Sequence, residues 1–152
     1  MSTIEQIEKD IKSRVEIAVG MSGYDIEKLF KQVLSDEYYG KYKPVEYVRK
    51  NQIQNAIKKS PVSSSGNGSS IDVYYDAGAM SHDRPTAIGK SGKAHKVEYS
   101  EPEILTAVMS GYHMVGASGR GAKTDNTWFE TLAEFDAKKD QIINKNLKAA
   151  GL

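Results

Sequence analysis

Apolar residues recur at steps of three and four from the start of the chain: Ile4, Ile7, Ile11, Val15 and Ala18. That period is one face of an α-helix. Ser2 followed three residues later by Glu5 forms a capping box, which satisfies two backbone N–H groups that a helix start otherwise leaves free. Gly20 and Gly23 interrupt the stripe, and a second one follows through Ile26, Leu29, Phe30, Val33 and Leu34, ending near Tyr38 and Gly40. The pattern predicts N-terminal helices and leaves open whether they form one bent rod.

Pro44 lacks an N–H and holds Lys43 extended, so it breaks the tyrosine-rich residues 38–47. A third short helix is predicted after it, with Val45, Val48, Gln52 and Ala56 on one face and Ile53 and Ile57 beside them, ended by Pro61. Residues 63–70 are Ser, Gly and Asn only and read as a flexible connector. Ile71, Val73 and Tyr75 alternate with Asp72 and Tyr74, the period of a half-buried strand. Residues 77–94 are too polar for a core and read as a hairpin arm or a mobile loop. Alternation resumes over residues 96–99, the expected antiparallel partner of the first strand.

Ser100, Pro102 and Glu103 carry the signals of another helix start, and Ile104, Leu105, Val108 and Tyr112 give that short helix a face. A second flexible polar segment, 111–126, precedes Thr127 and Glu130, which open the final helix by the same capping logic. Its apolar side is Trp128, Leu132, Phe135, Ile142, Ile143 and Leu147. The predicted architecture is α+β: N-terminal helices and a C-terminal helix packed on a small antiparallel sheet with long polar arms, one domain over residues 1–152.

Composition narrows the function classes. The 152 residues include 21 Lys plus Arg against 20 Asp plus Glu, three His and no Cys. Without cysteine there is no disulfide framework, thiolate nucleophile or Cys-type zinc site. A net charge of +1 argues against a strongly basic nucleic-acid binder. No apolar stretch approaches the roughly 20 residues that span a bilayer, and the acidic N-terminus lacks the marks of a secretory signal. The expected site of synthesis is a cytoplasm, with no membrane partner.

Several motifs invite chemistry. Residues 116–124 nearly spell a phosphate-binding loop, but Ala122 separates Gly121 from Lys123 and breaks the convergence of backbone amides and ammonium on one phosphate. His82, Asp83 and Asp76 could gather as an acid–base or metal site, yet their spacing matches no ligand pattern, and His95 and His113 sit in or beside polar segments. No G-x-S-x-G elbow is present. No catalytic residue, cofactor or metal is assigned, and the chain is read as a non-enzyme. Residues 41–59 carry six cations (Lys41, Lys43, Arg49, Lys50, Lys58, Lys59) against Glu46, interleaved with Tyr42 and Tyr47. They form the alternative reading, a nucleic-acid-binding module in which cations meet phosphates and rings stack on bases. Packing of the tyrosines at a helix junction accounts for the same residues, and the near-neutral chain favours it.

The run Tyr38-Tyr39-Gly40-Lys41-Tyr42-Lys43-Pro44-Val45-Glu46-Tyr47-Val48-Arg49 resembles a segment of the small tail-completion, or minor tail and head–tail joining, proteins of long-tailed bacteriophages and prophages. The order of parts along nearly the whole chain is similar as well. Two departures stand out: the family pattern continues after the arginine with Thr and then Leu, where this chain has Lys50 and then Ile53. By matching position, Tyr39, Tyr42, Pro44, Tyr47 and Arg49 would form a structural junction, and Trp128 joins them as a candidate interaction residue.

The resemblance implies a virion structural protein of the neck or tail end, in a tail-completion, tail-terminator or head–tail joining role. It would be made in the host cytoplasm and built into a homo-oligomeric ring, a hexamer by that likeness, against neighbouring neck or tail-tube proteins. DNA would pass through without sequence-specific binding. Long polar arms and amphipathic helices with spare apolar surface suit such a ring, because neighbours supply the burial that a small core lacks.

Overall fold

The computed structural model describes residues 2–40, 52–66, 68–79, 86–88, 94–96, 106, 109 and 127–152. Helix α1 runs unbroken over Thr3–Val33, opened by the predicted capping box: Ser2 Oγ accepts from the Glu5 N–H, and the Glu5 carboxylate accepts from the Ser2 N–H. It passes directly into a π-helical turn over Leu34–Tyr39 that ends at Gly40. The two glycine positions therefore do not divide the helix. They sit where another element lies against it, with Gly20 beside Val62 and Gly23 against Ile71.

That element is a long bent hairpin. A 3-10 turn over Gln52–Ala56 leads into β1 (Ile57–Lys59), followed by β2 (Ser63–Ser65), β3 (Gly68–Ser70) and β4 (Val73–Tyr75). β1 pairs antiparallel with β4, Ile57 opposite Tyr75, and β2 pairs with β3, Ser63 opposite Ser70. The Ser60 N–H donates to the Asp72 carbonyl at 2.9 Å, and the Asp72 N–H to the Ser60 hydroxyl at 3.0 Å. Beyond that pair Pro61 and Val62 oppose Ile71 alone, a one-residue bulge at a site where proline has no ladder bond to lose.

Three expectations change here. The strand predicted over residues 71–75 is present as Val73–Tyr75, and its partner is Ile57–Lys59; of the expected partner 96–99, Lys96 pairs with Thr86 instead, and residues 97–99 lie outside the described residues. From Gln52 onward the helix predicted to run to Pro61 gives way to the 3-10 turn and β1, because Ile57 reaches the core through strand pairing opposite Tyr75; residues 45–51 lie outside the described residues. Residues 63–65 and 68–70, exposed or half-exposed, pair with each other at the end of the hairpin. A second hairpin joins β5 (Thr86–Ile88) to β6 (Ala94–Lys96), Ala87 opposite His95, within and just past the segment read as hairpin arm or loop. Of the short helix predicted from Ser100, Thr106 and Met109 are described, and both are helical. The segment 111–126 lies outside the described residues.

Helix α2, Thr127–Ala149, returns antiparallel to α1: Phe135 meets Phe30, Lys145 meets Asp25, and Gly151 meets Arg14. Its start departs from the capping expectation, since Thr127 Oγ1 is buried without a hydrogen-bond partner among the described residues. Its end is a Schellman motif, in which the Leu152 N–H donates to the Leu147 carbonyl and the Gly151 N–H to that of Lys148. Gly151 at φ +82° supplies the left-handed turn this needs.

The core is small. Phe30, Leu34, Ile53, Ala56 and Ile57 are buried, with Ile26, Val73, Tyr75 and Phe135 packed around them. Phe30 stacks on Tyr75 with ring centroids 6.1 Å apart and meets Phe135 edge-on at 6.4 Å, so one side chain binds α1, the hairpin and α2 together. The described architecture is α+β, with two long helices and short antiparallel strand pairs.

Candidate functional site

From the core the hairpin runs along α1 toward its N-terminus: Ile57 and Tyr75 near Phe30, Ile71 at Gly23, Val62 at Gly20, and Ser64 Oγ donating to Glu16 at 2.7 Å. Helix α2 ends at the same level, where Arg14 Nη1 donates to the Gly151 carbonyl at 3.2 Å. Among the described residues, α1 continues alone beyond that level. Residues 3–13 are all exposed, an overhang of three turns or about 16 Å at 1.5 Å per residue.

The overhang carries Ile4, Ile7 and Ile11, exposed at 68%, 54% and 47%. They lie in line with Ala18 and Ser22, the face that meets α2 further along the helix. The stripe is thus the unpaired continuation of a packing seam whose partner helix has stopped. Helical periodicity made it legible as apolar, while its exposure depends on where α2 ends.

A second apolar surface lies beside the seam. Ile17, Met21 and Tyr24, spaced four and three residues apart on α1, line an open groove of about 430 Å³ with Asp25 of the same helix and with Lys145 and Asn146 of α2 opposite. Lys145 Nζ and Asp25 Oδ2 are 2.8 Å apart. The buried Asn146 amide donates to the same oxygen at 3.1 Å and to Ser22 Oγ at 3.3 Å, while Ser22 donates back to the Ala18 carbonyl. Donation from Lys145, then from Asn146, holds the Asp25 carboxyl below its ordinary pKa of 3.8. This surface was not assigned from the sequence. Ile17, Met21 and Tyr24 fall off the main stripe, and that off-stripe apolar row was the available signal.

Among the predicted site residues, Tyr39 lies at the end of the π-helical turn, and Tyr42, Pro44, Tyr47 and Arg49 lie outside the described residues. Trp128, 40% exposed, meets Tyr75 edge-on with ring centroids 6.0 Å apart. It therefore joins the start of α2 to the hairpin. Of the basic segment, Lys58 and Lys59 are exposed on β1 and the other cations lie outside the described residues.

Asp76, weighed as part of an acid–base site, has a structural role. Its N–H donates to the Ala56 carbonyl, and its carboxylate accepts from the Gly78 N–H at 2.9 Å, shaping the 3-10 turn Ala77–Ala79. His82, Asp83, His113 and residues 116–124 lie outside the described residues. Among the described residues no cluster of His, Asp and Glu is suited to a metal, and no helix is long and apolar enough to cross a membrane. Compared with known proteins, the chain matches no family model, no curated protein and no solved structure.

Proposed function

We propose that this protein is a non-enzymatic structural subunit of the neck or tail end of a long-tailed bacteriophage, in a tail-completion, tail-terminator or head–tail joining role. It works as a homo-oligomeric ring, a hexamer by resemblance, through which DNA passes and against which neighbouring neck or tail-tube proteins dock. The tyrosine-rich segment at residues 38–49 supports the family. The observation that carries the physical reading is the overhang: three isoleucines in a row, exposed on a helix that extends past the rest of the described fold. Fully burying an isoleucine is worth roughly 1.5–3 kcal/mol, so covering the row contributes several kcal/mol to association.

The test is the mass of the purified protein by light scattering across a concentration series, with electron microscopy of the same sample and a search for the protein in purified particles. A closed ring, and the protein's presence in virions, is the expected result. A monomer at every concentration that is also missing from particles overturns the reading.

A further inference from the structure

We propose that the α1 overhang of one copy lies in the groove between α1 and α2 of the next, so that copies join head to tail. This rests on the ring reading and names the two surfaces that would close it. The donor is the face bearing Ile4, Ile7 and Ile11; the acceptor is the row Ile17, Met21 and Tyr24, exposed at 54%, 39% and 61%. Both are helical apolar rows at steps of three and four, the spacing with which one helix seats against another.

The occupant comes from another molecule because α1 is one continuous helix and cannot bend back into its own groove. Charge selects the groove over a second overhang. Glu8 and Asp10 are the charges nearest the isoleucine row, one on each side of it, and the last turns of α2 present Lys145 and Lys148. Lys145 keeps 64% of its side chain exposed while paired with Asp25. A two-fold pairing of overhangs would instead bring one flank against its own copy, Glu8 toward Glu8. Because donor and acceptor are different patches of one chain, each copy gives at one end and receives at the other, the heterologous contact from which rings are built.

The absence of cysteine allows a direct test. Ile7→Cys and Met21→Cys replace exposed side chains, and the two variants are co-expressed, oxidised and resolved on non-reducing gels. Disulfide-linked heterodimer at least tenfold above the dimer formed by either variant alone is the expected result. Ile7→Cys alone linking to itself as readily as the mixture would overturn the proposal in favour of two-fold pairing. No cross-link between the two variants, where the wild-type protein scatters as an oligomer, overturns this contact and leaves the ring intact. No cross-link with a monomeric wild type overturns both.

Discussion

Gly23 on α1 and Ile71 on the hairpin approach so closely that a β-carbon at position 23 would run into Ile71 Cδ1 first and lie 3.0 Å from its Cγ2 and 3.1 Å from its Cγ1. Three residues earlier, a β-carbon at Gly20 would make an ordinary 3.5 Å contact with Val62. Two glycines that look alike in a helical pattern thus differ in what they permit.

Alanine at these positions should act in opposite directions. Gly20→Ala gains helix propensity of about 1 kcal/mol without a clash, so its urea midpoint rises. Gly23→Ala makes the same gain but overpacks against Ile71 at a cost of about 1–3 kcal/mol, so its midpoint falls or at best stays level. A Gly23→Ala protein as stable as Gly20→Ala would show that the hairpin sits further from α1.

Phe30 joins three elements, and its truncation should be the most damaging single change in the core. Phe30→Ala removes contacts to Tyr75 and Phe135 at once and should cost about 3–5 kcal/mol, measured by chemical denaturation. Loss of less than 1 kcal/mol would mean that the hairpin and α2 are held by other contacts.

Asp25 makes stability pH-dependent with a defined sign. Its folded pKa is lowered, so its contribution is present above the unfolded value near 3.8 and lost as pH falls through the folded value. Asp25→Asn should therefore be less stable than wild type at pH 7, by about 1 kcal/mol given the partial exposure of the pair, with the gap closing below pH 3.8. A gap that persists unchanged at pH 2 would assign the loss to packing.

The Tyr75 hydroxyl is buried and has no hydrogen-bond partner of ordinary geometry among the described residues. Burial raises its pKa above the ordinary 10.0, although the Thr131 side chain opposes the shift. The folded state holds this proton more tightly than the unfolded one, so stability falls as pH rises past 10. Tyr75→Phe should be neutral or stabilising by up to about 1 kcal/mol at pH 7 and should lose that alkaline dependence. Destabilisation by 2 kcal/mol or more would reveal a hydrogen bond at this oxygen.

Much of the candidate site was legible in part. Ile4, Ile7 and Ile11 announced an apolar face, and Ser2 with Glu5 announced where the helix begins. Neither said that the face would stay open, because its exposure follows from α2 ending opposite Arg14. The tyrosine-rich segment carries the family resemblance, yet it is the overhang and the groove that the described fold offers as surfaces.

Interactions within three or four residues were determined by the sequence alone: the capping box, the helical stripes at both ends, the alternation over residues 71–75 and hence the α+β class. Periodicity records which side chains are apolar and on which face, since that depends only on local geometry. The choice of partner belonged to tertiary structure. Strand Val73–Tyr75 took Ile57–Lys59, the nearer segment in sequence, and the glycines of α1 became a seat for Val62 and Ile71 instead of a break. A contact between distant residues reflects the shape of both surfaces together, and no window along one strand or helix contains that shape.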